Sequence, residues 1–136
     1  MSKLSKILYC LLFGALSLIG FLVIIHSFTS FHLKADGVIK LQAPINIICG
    51  ALILGHSVIR LLNIFKGSYD KIVIHIYRAM TYLGIYFVLS NITYALEGAS
   101  PNSTGMIFFI ILGLLTIAAS IIAEKIKIKG EKIKPI

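Results

Sequence analysis

The sequence predicts an all-α integral membrane protein, a four-helix bundle with both termini in the cytoplasm, and three observations predict it. Of 136 residues, 58% are hydrophobic and only 13% charged, with a mean hydropathy of +0.97. A soluble domain carries about 25% charged and about 45–50% apolar residues, so too little polar surface is present to coat a water-soluble globule. The charges that do occur are clustered. They leave apolar runs at 7–28, 43–65, 73–96 and 105–123, each close to the ~20 residues that cross about 30 Å of hydrocarbon as a helix. Finally, Lys and Arg divide unevenly between the sides these runs define, eleven on one and two on the other. The positive-inside rule puts the eleven, and both ends of the chain, in the cytoplasm.

The first run lies in a charge-free interval between Lys6 and Lys34. A cleaved signal peptide is its rival, but such apolar regions are about 7–15 residues and end at a small-x-small site. The outer end here reads Ile25-His26-Ser27-Phe28, so an uncleaved span is expected. Cys10 follows bulky Tyr9 and does not suit lipid attachment. The other three runs follow with Arg60 near the end of the second, Arg78 near the start of the third, and no charge in the fourth. In lipid each backbone group must be satisfied within its own segment, so all four are read as helices despite their isoleucine. The connectors carry turn residues: Asp36-Gly37, Lys66-Gly67-Ser68, and Pro101 within 98–104. Asp36-Gly37 would also suit a small hairpin over 31–41, with an irregular loop as the better expectation because the flanking alternation is poor. Pro44 falls in a first helical turn, where its missing N–H costs nothing, and Ser103 or Thr104 can cap the fourth span. The chain is thus one membrane domain, 1–136, with a basic cytoplasmic tail over 124–136.

A net charge of +8 raises nucleic-acid binding, but the cations form short clusters between spans rather than a stripe beside stacking aromatics, and no nucleic-acid partner is expected. The cysteines, Cys10 and Cys49, sit inside apolar runs and read as small hydrophobes, a disulfide requiring the two helices to meet at that depth. All five carboxylates (Asp36, Asp70, Glu97, Glu124, Glu131) lie in connectors, span ends or the tail. Proton-coupled carriers depend on an acid buried among the helices. The small four-span multidrug exporters share this size and span number, but their essential glutamate in the first span has no counterpart. Zinc-protease, P-loop and dinucleotide fingerprints are missing too. No catalytic residue, cofactor or metal is assigned, and no enzyme activity is expected.

Several polar residues within the spans are candidates for function. Arg60 and Arg78 flank the inner connector at similar distance, His56 lies four residues from Arg60, and Tyr82 four from Arg78. Residues four apart share a helix face, so Arg60, Arg78, His56 and Tyr82 form a candidate contact set for a lipid phosphate, bound by forked hydrogen bonds. The simpler reading has both arginines snorkelling to headgroups. His56 and His75 are placed at different depths, against haem ligation between helices; His26 and His32 lie at the outer end. Asn91 is costly in lipid unless partnered, and a hydrogen bond across helices to Ser17, Thr116 or Ser120 is expected. Tyr82 and Tyr86 form part of a stripe, while Tyr77 and Tyr94 suit the interfacial belts. Small residues four apart, Cys10 with Gly14, Ala51 with Gly55, Thr116 with Ser120 and Ala119 with Ala123, mark candidate packing faces. The tail EKIKIKGEKIKPI alternates Lys and Ile like a strand; beside a membrane it reads as an interfacial segment on anionic lipid, or as a docking peptide. Asn102-Ser103-Thr104 matches a glycosylation sequon and is read as chance.

The short basic N-terminus, the Asn63-Ile64-Phe65-Lys66-Gly67 sequence at the inner connector and the Lys-rich end together resemble small four-span proteins of bacterial cytoplasmic membranes that form a family of unassigned function. The resemblance covers the whole layout and implies a multi-pass cell-membrane location. It carries over no functional residue. The expected role is accessory, interaction or immunity-type, exercised through the bilayer, anionic lipids at the cytoplasmic face, a membrane-protein partner or a second copy. A small oligomeric transporter or channel is the alternative, and a membrane redox or lipid-modifying enzyme the third reading.

Overall fold

The computed structural model describes residues 2–33, 42–69, 71–96 and 103–133. Four helices occupy them: α1 (Lys3–Leu33), α2 (Gln42–Phe65), α3 (Ile72–Leu96) and α4 (Ser103–Ile133). Each is long and apolar enough to cross a membrane. Helix is the only regular structure among the described residues, with the layout of a multi-pass membrane protein. The hairpin considered about Asp36-Gly37 lies outside the described residues, although α1 continues as helix through Leu33 and so takes in its first part.

α1 and α4 each have 31 residues, about 46 Å at 1.5 Å per residue, which exceeds the ~30 Å hydrocarbon layer. α1 gains its extra length at both ends of the apolar run. At its start the Ser2 hydroxyl accepts the Ser5 N–H at 3.2 Å, a side-chain cap. α4 gains most of its extra length from the tail, whose Lys–Ile alternation is carried on a helix and not on a strand. The tail is helical to Ile133. Extending an existing helix adds one backbone bond per residue fixed, whereas a lone strand has no partner. On the helix, Glu124, Ile128 and Glu131 fall four and three apart and share a face. That face meets α3: Arg78 Nε donates to Glu124 Oε1 at 2.7 Å, and Ile128 and Glu131 line a pocket with Lys71, Ile74 and Arg78. The exposed Lys125 and Lys129 lie on other faces.

α2 closes at the predicted glycine. Gly67 takes φ 84°, its N–H reaches Ile64 O at 3.0 Å, and Ser68 N–H reaches Asn63 O at 2.8 Å. This is a Schellman ending, which a residue bearing a Cβ adopts only with strain.

Each helix packs on its neighbour in sequence, α1 on α2, α2 on α3 and α3 on α4, with only slight contact between other pairs among the described residues. Within the most apolar stretches 28% of α2 and of α3 is buried, against 17% of α1 and 11% of α4. The middle pair is thus the centre of the arrangement. The outer helices present exposed Leu18, Leu22, Phe108, Leu115 and Ile122, the surface that a bilayer would cover.

Two close crossings hold the hairpins. A Cβ added at Gly20 would stand 2.7 Å from Leu54 N and 2.8 Å from Gly50 O, and one at Gly50 would stand 3.0 Å from Gly20 O. In the second hairpin a Cβ at Gly84 would stand 2.9 Å from Gly113 O, and one at Gly113 would stand 2.9 Å from Gly84 O. Backbones this near gain dispersion contact, the main source of helix association in lipid. Of the faces expected from Cys10/Gly14 and Ala51/Gly55, Cys10 packs against the core, while a Cβ at Gly14 or Gly55 would meet nothing within 4 Å, so those two glycines are not part of a crossing within the chain. Cys10 and Cys49 are free thiols, the second buried.

Polar side chains within the helices mostly turn back on their own backbone. Ser17 donates to Phe13 O at 2.8 Å, Ser27 to Val23 O at 2.7 Å, Thr93 to Leu89 O at 2.8 Å and Thr116 to Leu112 O at 2.8 Å. Asn91 does the same: its Nδ2 donates to Phe87 O at 2.7 Å. The bond it makes is therefore within α3 rather than to Ser17 or Thr116 across helices. A carbonyl four residues back is always within reach on a helix, and using it spares a search for a distant partner.

Candidate functional site

The core gathers toward one end of the molecule, where Phe13 and Leu16 of α1, Ile53 and Ile64 of α2, and Ile72 and Ala79 of α3 bury together. Lys6 places its ammonium 5.6 Å from the centroid of the Tyr69 ring, so the start of α1 stands against the α2–α3 connector. The same end holds His56, Arg60 and His75.

Their placement follows from helix geometry. On α2, His56, Arg60 and Asn63 fall four and three apart and share a face. On α3, Ile72, His75, Ala79, Tyr82 and Tyr86 fall three and four apart, and this row faces α2. His56 stands at the middle, its ring centroid 5.4 Å from Tyr82, 5.5 Å from His75 and 6.4 Å from Phe13. The edge-on geometry toward Phe13 and Tyr82 directs a positive ring edge at a negative ring face. Both ring nitrogens of His56 and the hydroxyl of fully buried Ser57 are out of reach of any hydrogen-bond partner.

Arg60 adjoins this cluster. Its Nη1 lies 2.7 Å from His75 Nε2. A guanidinium has donors only, so His75 Nε2 accepts, and the imidazole carries its proton on the other nitrogen. Arg60 Nε is buried and unpartnered. The guanidinium borders a pocket of about 170 Å³ lined by Arg60, Asn63, Ile64, Ser68, Ile72 and His75.

The candidate set is therefore divided. His56 and Tyr82 meet, and Arg60 lies beside them through His75. Arg78 goes elsewhere, to Glu124 and a separate pocket with Lys71 and Glu131. It sits one residue, or about 100° of helix rotation, before Ala79, which turns it from α2 toward α4. Equal distance from the connector gave the two arginines similar depth but not a common face. His75, expected at a different depth from His56, is in ring contact with it. An antiparallel hairpin turning at 66–71 sets α2 positions against α3 positions about equally far from the turn, which matches His56 with Tyr82 and brings Arg60 near His75; the ring contact of His56 with His75 spans a longer offset that this distance does not give. Phe13, Ser57 and Glu124 were not singled out. No group of three or more potential metal-binding side chains occurs among the described residues. No family model, curated protein or solved structure matches the chain.

Proposed function

We propose that the chain is a non-catalytic multi-pass protein of a cell membrane, the bacterial cytoplasmic membrane, with both ends cytoplasmic, and that it acts through partner proteins or lipid as an accessory or immunity-type protein. The observation that supports this reading is the pairing of apolar outer helices with the lack, among the described residues, of an unpaired acid within the apolar stretches. α1 and α4 turn long apolar faces outward, and Glu124, the carboxylate drawn against α3, is occupied by Arg78. Carriers and intramembrane enzymes that move protons need an acid at low dielectric that is free to bind and release them. The excess of Lys and Arg on the inner side supports the orientation.

In-membrane crosslinking from photoreactive side chains at Leu18 and Leu115 tests the proposal. A discrete adduct with another protein chain, or with lipid alone, is the expected result. Solute movement by the purified protein in proteoliposomes would replace this reading with the transporter one. The buried, unpartnered ring nitrogens of His56 and hydroxyl of Ser57 are the observation that favours that second reading, since polar groups inside a membrane domain line many solute paths.

A further inference from the structure

We propose that the pocket between the end of α2 and the start of α3 binds one phosphate group, held by Arg60 with Asn63 and Ser68. The proposal deepens the lipid-or-partner reading and rests on it only in setting this end of the chain at a membrane face. It differs from the sequence-based contact set in leaving out Arg78.

The two arginines show why. Both are permanent cations placed where hydrocarbon gives way to headgroups. Arg78 meets a carboxylate at 2.7 Å. Arg60 meets the neutral acceptor Nε2 of His75, which occupies one donor and offsets no charge. Its buried Nε retains an unused donor, and among the described residues no carboxylate pairs with Arg60, as Glu124 does with Arg78. The group that best completes this site is an anion with more than one acceptor oxygen, able to take the remaining donors and the charge together.

The pocket has the donors for such a group. A guanidinium, the Asn63 carboxamide and the Ser68 hydroxyl border it, and no carboxylate is among its lining residues. Ile72, the first residue of α3, also borders it, and the first turn of that helix carries no acid, so the positive end of the helix dipole adds to the field. At about 170 Å³ the space is smaller than the ~300–1,000 Å³ typical of sites for larger molecules. It suits a tetrahedral anion with its substituent pointing outward. Guanidinium and phosphate match as a two-pronged pair. A lipid phosphodiester and free inorganic phosphate present this same chemistry.

The full chain, incorporated into nanodiscs of mixed phosphatidylglycerol and phosphatidylcholine and then released for native mass spectrometry, tests the site. Wild type is expected to retain phosphatidylglycerol. Arg60→Gln should reduce that retention about tenfold, the loss of one charge-assisted contact, and Arg78→Gln should leave it unchanged. Arg60→Lys, which keeps the charge without the fork, should fall between. Ser68→Ala, in the connector, leaves the helices intact and should lower retention severalfold, so the site stays testable even if Arg60→Gln fails to fold. Adding inorganic phosphate separates the two sources. Displacement of the lipid, with retention of phosphate, identifies a free-anion site, and lipid that stays bound identifies a headgroup site. Equal retention in wild type, Arg60→Gln and Ser68→Ala would overturn the proposal, as would equal loss in Arg78→Gln. Crosslinking to partners from Leu115 is independent of these variants, so failure here is distinguishable from failure of the broader reading.

Discussion

The α1–α2 and α3–α4 hairpins cross in the same register yet are fastened differently at the ends nearest the α2–α3 turn. Gly20 faces Gly50 with Val23, Ile24 and Leu54 around them, and Gly84 faces Gly113 with Phe87, Val88 and Ile117 in the matching places. In both, the neighbours lie three and four residues after the first glycine and four after the second. Below the crossings the likeness ends. The first hairpin delivers Phe13, His56 and Arg60 to the joint with α3, while the second is closed by Arg78 on Glu124. The comparison separates two kinds of information in the chain. Close packing needs only glycine and a fitting apolar neighbour, and recurs. The placement of charge is individual, and that is where a specific role would reside.

Substitution at the crossings should give the largest effects. Gly20→Ala and Gly84→Ala each set a methyl within 3 Å of backbone or side-chain atoms of the facing helix. Each is expected to cost about 1–3 kcal/mol, the usual range for overpacking, read by reversible unfolding in mixed micelles. Similar losses in the two hairpins would support their equivalence, and a loss confined to one would break it. A smaller effect of opposite sign is expected at the joint. His56→Phe keeps a ring against Phe13 and Tyr82 but removes two buried, unpartnered nitrogens. It should raise stability by about 1 kcal/mol, because an unsatisfied buried polar group costs about 1–3 kcal/mol. A loss of stability in the same unfolding assay would mean that the imidazole is engaged in the membrane.

Arg78→Gln and Glu124→Gln follow. The Arg78 side chain is 45% exposed and that of Glu124 19%, so solvent screening limits the pair to under about 1 kcal/mol. A double-mutant cycle measures it, and additive single effects would show the pair to be inert. Gly14→Ala and Gly55→Ala, facing open space, should change stability least and serve as the internal control for Gly20 and Gly84.

The architecture was legible in apolar length and charge-free intervals, which alone placed four helices within a few residues, apart from the ends of α1 and α4. Side-chain partners were less legible. Spacing by four marked Gly14 and Gly55 as readily as Gly20 and Gly50, yet only the second pair lies on the seam. That seam runs through Phe13, Leu16, Gly20, Val23 and Ser27 on α1 and through Ala43, Asn46, Gly50, Ile53 and Ser57 on α2. It alternates steps of three and four, the pattern of a helix surface in continuous contact with another. A sustained row distinguishes seam glycines where an isolated pair does not. The arginines show the same limit. Distance from a turn sets depth, but the 100° step between neighbouring residues sets direction. Arg60 and Arg78 agree in the first and differ in the second. Asn91 could not be assigned from sequence, because a helix always offers the carbonyl four residues back as an acceptor.

The claim beneath all of these comparisons is that the chain crosses the membrane four times with both basic ends on one side. Single cysteines at Ser2, Asn102 and Lys132, in a chain whose Cys10 and Cys49 are replaced by Ala, report it directly through an impermeant maleimide applied to intact cells. Asn102→Cys is expected to label at once, and Ser2→Cys and Lys132→Cys only after the membrane is opened. Labelling of either end in intact cells, or protection of position 102, would contradict the four-crossing arrangement.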